Sequence, residues 1–198
     1  MRHLTSFFVA LSLTACASAN LNKNKPPQEY ETLEITLDRS SCLGTCPEYV
    51  VKVSGSGEVS YCGFNYVEEK GLRTKQIAPA DIRSLYEQVL GADFFNLEDH
   101  YRTNVTDSAL YITTVSVDGR TKTIYDYVGR ESGMPNSVTE VQDAIDEITG
   151  TSAWIGDVPN NHHLGAFEAY IPNCEDEFRP GAKAFRKKIR NMLKLPVE

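Results

Sequence analysis

The chain of 198 residues has no apolar run approaching the ~18 residues that a membrane-spanning helix needs, which argues against a span through a bilayer. It also has no basic excess. Lys and Arg number 20 against 27 Asp and Glu, the net charge is −7, and the pI is about 5.2. A nucleic-acid partner calls for a basic face, so none is expected. The acidic balance bears on solubility instead. The marks of common catalytic centres are missing too: a phosphate-binding P-loop, a dinucleotide Gly-rich fingerprint, H-E-x-x-H and G-x-S-x-G. Neighbouring carboxylates such as Glu68-Glu69 and Asp143/Glu147 fall on expected turns or helix faces, where charge is ordinarily solvated. No internal repeat or low-complexity tract is found. These absences lead to the expectation of a non-enzyme that needs no cofactor and no metal.

What is present is a globular composition, 41% apolar and 24% charged, enough for a normal core. The N-terminus is the most informative segment. Arg2 and His3 form a short positive region, and Phe7 to Leu13 form an apolar stretch of signal-peptide length. Leu13-Thr14-Ala15-Cys16 follows and resembles the bacterial lipobox. That resemblance implies a signal peptide over 1–15, cleavage before Cys16, and acylation of the Cys16 thiol and amine. The lipid bilayer is then the first partner, at ~0.8 kcal/mol per buried CH₂ of each acyl chain. By resemblance to enterobacterial sorting, Ala17 favours the outer membrane, with the domain facing the periplasm. Residues 16–31 are polar, carry Pro26-Pro27, and read as a flexible tether.

Beyond the tether, Thr32 to Asp38 alternates apolar and polar residues and predicts a half-buried strand. Tyr49 to Val53 and Glu58 to Cys62 predict a hairpin around Gly55-Ser56-Gly57, and Arg73 to Ile77 predicts a fourth strand. Pro79 opens a helix whose stripe is Ile82, Leu85, Tyr86, Val89 and Leu90. Leu110 to Val117 and Thr121 to Tyr125 flank Asp118-Gly119, a strong hairpin signal. A second helix is expected from Ser137, with a Ser137/Glu140 capping box and a stripe of Val138, Val141, Ile145 and Ile148. Trp154-Ile155 would complete the core. The order β-β-β-β-α-β-β-α predicts an α+β domain: an antiparallel sheet of about six strands with two helices on one face.

With Cys16 set apart, Cys42, Cys46, Cys62 and Cys174 remain. An even number in an oxidising compartment implies two disulfides, with three connectivities open. Tail residues Phe178 to Lys194 carry seven basic residues and no acid, with Ala182, Phe185, Ile189, Met192 and Leu193 at helical spacing. They predict a basic amphipathic helix within an extension over 156–198, either packed on the domain or lying on a membrane or partner.

The segment ITLDRSSCLGTCPEYVVKVSGSGEVSYCG from Ile35, together with Phe94-Phe95, Tyr101, Thr106-Asp107, Val117-Asp118-Gly119 and Trp154-Ile155, resembles the bacterial family catalogued as domain of unknown function 6438. The resemblance covers about Thr32 to Ile155, sets the domain at 32–155, implies export, and brings no activity. It makes Cys42–Cys46 the family's own pair. Cys62 and Cys174 are both departures from the pattern, which leaves them to bond to each other.

Cys-x-x-x-Cys-Pro also resembles the copper-binding loop of Sco-type chaperones, with His100, His162 and His163 as candidate third ligands. Those proteins carry the motif before a helix. Here Val50, Val51 and Val53 predict a strand, so no helix N-terminus is at hand to lower a thiol pKa. A structural staple is the preferred reading, and a copper-binding or thiol-redox lipoprotein is the alternative. His100, Tyr101 and Asp107 are read as one loop between helix and strand, a candidate ligand or partner loop. The plainer roles are turn capping by Asp107 and sheet packing by Tyr101, and a hydrolase centred on Asp107 is the weakest reading. The expectation is a lipid-anchored, non-catalytic envelope module, binding or structural, with an envelope protein as partner.

Overall fold

The computed structural model describes residues 30–157 together with Cys174, Phe178 and Arg179. The segment expected to be a signal peptide, Cys16, nearly all of the expected tether, His162, His163 and most of the segment expected to form a basic helix lie outside the described residues.

Among the described residues, seven strands form one sheet: β1 (Glu34–Arg39), β2 (Glu48–Ser54), β3 (Glu58–Asn65), β4 (Gly71–Gln76), β5 (His100–Arg102), β6 (Tyr111–Val117) and β7 (Arg120–Tyr127). Helices α1 (Pro79–Gly91), α2 (Asn136–Thr149) and the short α3 (Ser152–Ile155) complete the α+β fold. The spatial order is β4-β3-β2-β1-β6-β7-β5. β1 therefore sits mid-sheet, between β2 and β6. The β6–β7 hairpin turns through Asp118 (φ 49°) and Gly119 (φ 75°), the two positive φ values that a type I′ turn demands.

Alternation decides which residues face the helices. Ile35 and Leu37 of β1, Tyr49, Val51 and Val53 of β2, and Val59 and Tyr61 of β3 are buried on one face. Ile82, Leu85 and Val89 of α1 and Val138, Val141 and Ile145 of α2 join them in one cluster. Each fully buried side chain of this size contributes roughly 1.5–3 kcal/mol. A second cluster, Val50, Cys62, Phe64 and Cys174 with Phe178 against it, lies on the opposite face. It explains why Tyr49, Val50 and Val51 are all buried in succession.

Four expectations need correction. The sheet has seven strands, because His100 and Tyr101 lie in β5 and not in a loop. β5 is three residues long, too short for periodicity to reveal, and it pairs in parallel with β7, so the sheet is mixed. The Ser137/Glu140 capping box does not form, since the helix already begins at Asn136 behind Pro135 and Ser137 falls inside it. A carboxylate cap occurs on α1 instead, where Asp81 accepts the Ala78 N–H at 3.0 Å. Leu90 is 55% exposed, having rotated off the covered stripe. Among the described residues no helix is long and apolar enough to cross a membrane.

Candidate functional site

β1 ends at Arg39 and β2 begins at Glu48, so the residues between them must reverse the chain at one end of the sheet. Cys42 and Cys46 are disulfide-bonded across this loop, with Cα atoms 5.6 Å apart, inside the ordinary range for a bridge. Gly44 adopts φ 154°, a backbone region that side-chain-bearing residues rarely enter. At the tip, Leu43 is 71% exposed.

This loop docks on a second one. Ser40 N–H donates to the Leu110 carbonyl at 3.0 Å, and Leu110 N–H returns a bond to Ser40 Oγ at 2.8 Å. Leu43 N–H donates to the Asp107 carbonyl at 3.2 Å. Asp107 itself is exposed and left-handed, φ 69°. The Asp107 loop is in turn held by β7: Ser108 N–H donates to the Tyr127 hydroxyl at 3.3 Å, and Thr103 Oγ1 donates to the Val128 carbonyl at 3.0 Å. Val128 is also left-handed, φ 54°, a costly conformation for a β-branched residue. Strain of this kind persists where surrounding contacts over-determine the backbone, and here it sits directly behind the Asp107 loop.

Of the three residues read as one loop, only Asp107 joins the stapled loop. Tyr101 is buried, and its hydroxyl accepts the Glu98 N–H at 3.1 Å. His100 stacks on Tyr125 with ring centroids 4.6 Å apart. Adjacent strand positions project to opposite faces, which separates Tyr101 from His100.

Beneath the stapled loop lies a polar network that sequence reading missed. Arg39 Nη2 donates to Asp146 Oδ2 at 2.6 Å. The Tyr49 hydroxyl and Thr151 Oγ1 donate to Asp146 Oδ1 at 2.8 and 2.9 Å. The Arg39 guanidinium sits 4.2 Å from the Tyr111 ring centroid. Burial works against the Arg39 charge, but attraction from Asp146, Tyr49 and Tyr111 outweighs it and raises the pKa. Burial, reinforced by Asp146, pushes the Tyr49 phenol far above its usual range. The network ties the C-terminal end of α2 to β1 and β2. One sequence cue was available: Arg39 continues the inward parity of Ile35 and Leu37.

Cys62 and Cys174 are bonded as well, with Cα atoms 5.7 Å apart and both side chains fully buried. Among the described residues, no group of three or more His, Cys, Asp or Glu is arranged to hold a metal ion. The site presents an exposed aliphatic tip on a cross-linked loop, with Asp107 held beside it through its backbone carbonyl.

Residues 33–149 match the family described as a domain of unknown function (DUF6438), more than half of the chain. No curated protein matches it.

Proposed function

The chain belongs to the DUF6438 family, and we propose that it is a lipid-anchored cell-envelope protein whose domain is a non-catalytic binding module. Acylated Cys16 would hold it to the membrane, with residues 16–31 as tether. The Cys42–Cys46 loop and the Asp107 loop would form the contacting rim. The observation that carries this reading is Leu43, 71% exposed on a loop that is cross-linked and docked. An exposed apolar tip on a rigid loop loses little conformational freedom on binding, which favours affinity. The two disulfides suit an oxidising compartment.

A photo-crosslinking residue at position 43, with one at position 90 as control, tests the rim in intact cells. Leu90 is also exposed, but on α1. A discrete adduct from position 43 and none from position 90 is expected. No adduct at 43, or the same adducts at both positions, would overturn the assignment of the rim. The competing copper or thiol-redox reading is tested by Cu(I) titration of the reduced mature protein. Submicromolar binding that a Cys42→Ser variant loses would replace the present reading.

A further inference from the structure

On the sheet face opposite α1 and α2, Arg179 meets three groups at once. Its Nε and Nη2 donate to Asp38 Oδ2 and Oδ1 at 3.0 and 2.5 Å. Its Nη1 donates to Glu48 Oε1 at 2.6 Å. Its guanidinium carbon lies 4.2 Å from the Phe64 ring centroid. Asn65 Nδ2 donates to the other Glu48 oxygen at 2.6 Å and orients that carboxylate. A bidentate carboxylate, a second carboxylate and an aromatic face together select arginine over lysine, whose ammonium cannot fork or stack. The side chains of Arg179, Asp38 and Glu48 are only 21%, 21% and 12% exposed, so water competes poorly.

The origin of the parts matters. Asp38, Glu48 and Phe64 stand on β1, β2 and β3, inside the segment that matches the family. Arg179 and the neighbouring Phe178 come from beyond it, and they are tied back by the buried Cys62–Cys174 bridge. Receptor and ligand are therefore separable pieces of chain.

We propose that Asp38, Glu48 and Phe64 form a recognition site for an arginine of a peptide partner, and that the chain's own Phe178–Arg179 segment fills it in cis, latched by Cys62–Cys174. Opening the latch takes an external dithiol. One of its thiolates attacks Cys174 Sγ and Cys62 leaves as a thiolate that takes up a proton. The second thiol then displaces Cys174 as a thiol, and the reagent departs as its own disulfide. Both protein sulfurs are fully buried, so exchange is slow until the arm lifts. Arg179 guards the bridge, and the bridge holds Arg179 in place. The site uses none of the residues assigned above to anchoring or to the Leu43 rim.

The test uses the mature protein and a labelled peptide of residues 173–183 bearing Cys174→Ser. The unlatched protein Cys174→Ala/Arg179→Ala is expected to bind the peptide at least about tenfold more tightly than the natural oxidised protein. Arg179→Lys in the peptide, or Asp38→Asn in the unlatched protein, is expected to cost about tenfold or more. No binding by a folded unlatched variant, or equal binding of arginine and lysine peptides, would overturn the proposal. A second measurement keeps both cysteines. Alkylation and mass spectrometry during graded dithiothreitol treatment should show Cys62–Cys174 opening several-fold faster in Arg179→Ala, with Cys42–Cys46 unchanged. Equal opening rates with and without Arg179 would contradict it.

Discussion

Tyr49 and Tyr61 lie side by side in the core with ring centroids 5.5 Å apart, yet their hydroxyls differ in kind. Tyr49 donates to Asp146, whereas the buried Tyr61 hydroxyl makes no hydrogen bond among the described residues. An unmatched buried hydroxyl carries a desolvation penalty of about 1–3 kcal/mol, and a matched one contributes to stability. Tyr61→Phe is therefore expected to be neutral or to stabilise by about 1 kcal/mol, and Tyr49→Phe to destabilise by about 1–3 kcal/mol. Urea denaturation of both variants distinguishes them, and equal losses would show that the two hydroxyls are alike.

The two disulfides should differ in weight and in access. The Cys42–Cys46 bridge closes a loop of sequence separation 4, and Cys62–Cys174 one of separation 112. On the chain-entropy model the first contributes roughly 2 kcal/mol and the second about 4.7 kcal/mol. Paired Cys→Ala variants measured by urea denaturation should rank in that order. Dithiothreitol should open the half-buried Cys42–Cys46 bridge first, since both sulfurs of the other are covered.

Val128 stores backbone strain behind the Asp107 loop. Asn tolerates left-handed φ better than a β-branched residue, so Val128→Asn should stabilise by about 1 kcal/mol. Thermal melting reads the gain. A loss of stability would mean that Val128 packing outweighs its strain.

Asp99 accepts a hydrogen bond from Lys122 Nζ at 2.5 Å, and this bond, with the attraction of the same ammonium, lowers its pKa. A depressed carboxylate contributes stability above its ordinary unfolded pKa and loses it as pH falls through its folded value. Lys122→Met should move the Asp99 titration, followed by carboxyl NMR, back up toward the ordinary aspartate range. The melting-temperature difference between the two proteins should shrink as pH drops below that range. Identical Asp99 titrations in both would rule out the pairing.

Much of this fold can be read from short-range pattern. Ile35 and Leu37 alternate cleanly, Asp118-Gly119 marks its own turn, and Ile82, Leu85 and Val89 repeat at helical spacing. β5 escapes such reading because three residues hold no period, and its place beside β7 depends on a parallel pairing across the chain. Ser137 and Glu140 have the right spacing for a cap but the wrong start, since Pro135 sets the helix end. Asp107 was legible as a loop residue. The contacts that give the two faces of the sheet their character join residues far apart, Arg39 with Asp146 and Arg179 with Asp38, at separations of 107 and 141. No local signal announces such pairs; they follow from which strands become neighbours.

Anchoring through an acylated Cys16 is the claim on which the envelope role depends, and one measurement reaches it directly. Cells expressing the natural chain or Cys16→Ser are fractionated, and the mature N-terminus is read by intact-mass analysis. The natural protein is expected in the membrane fraction, beginning at Cys16 with the mass of its acyl chains, and Cys16→Ser is expected to leave that fraction. A Cys16→Ser protein that stays with the membrane, or a natural protein cut after Cys16 and free of lipid, would contradict it.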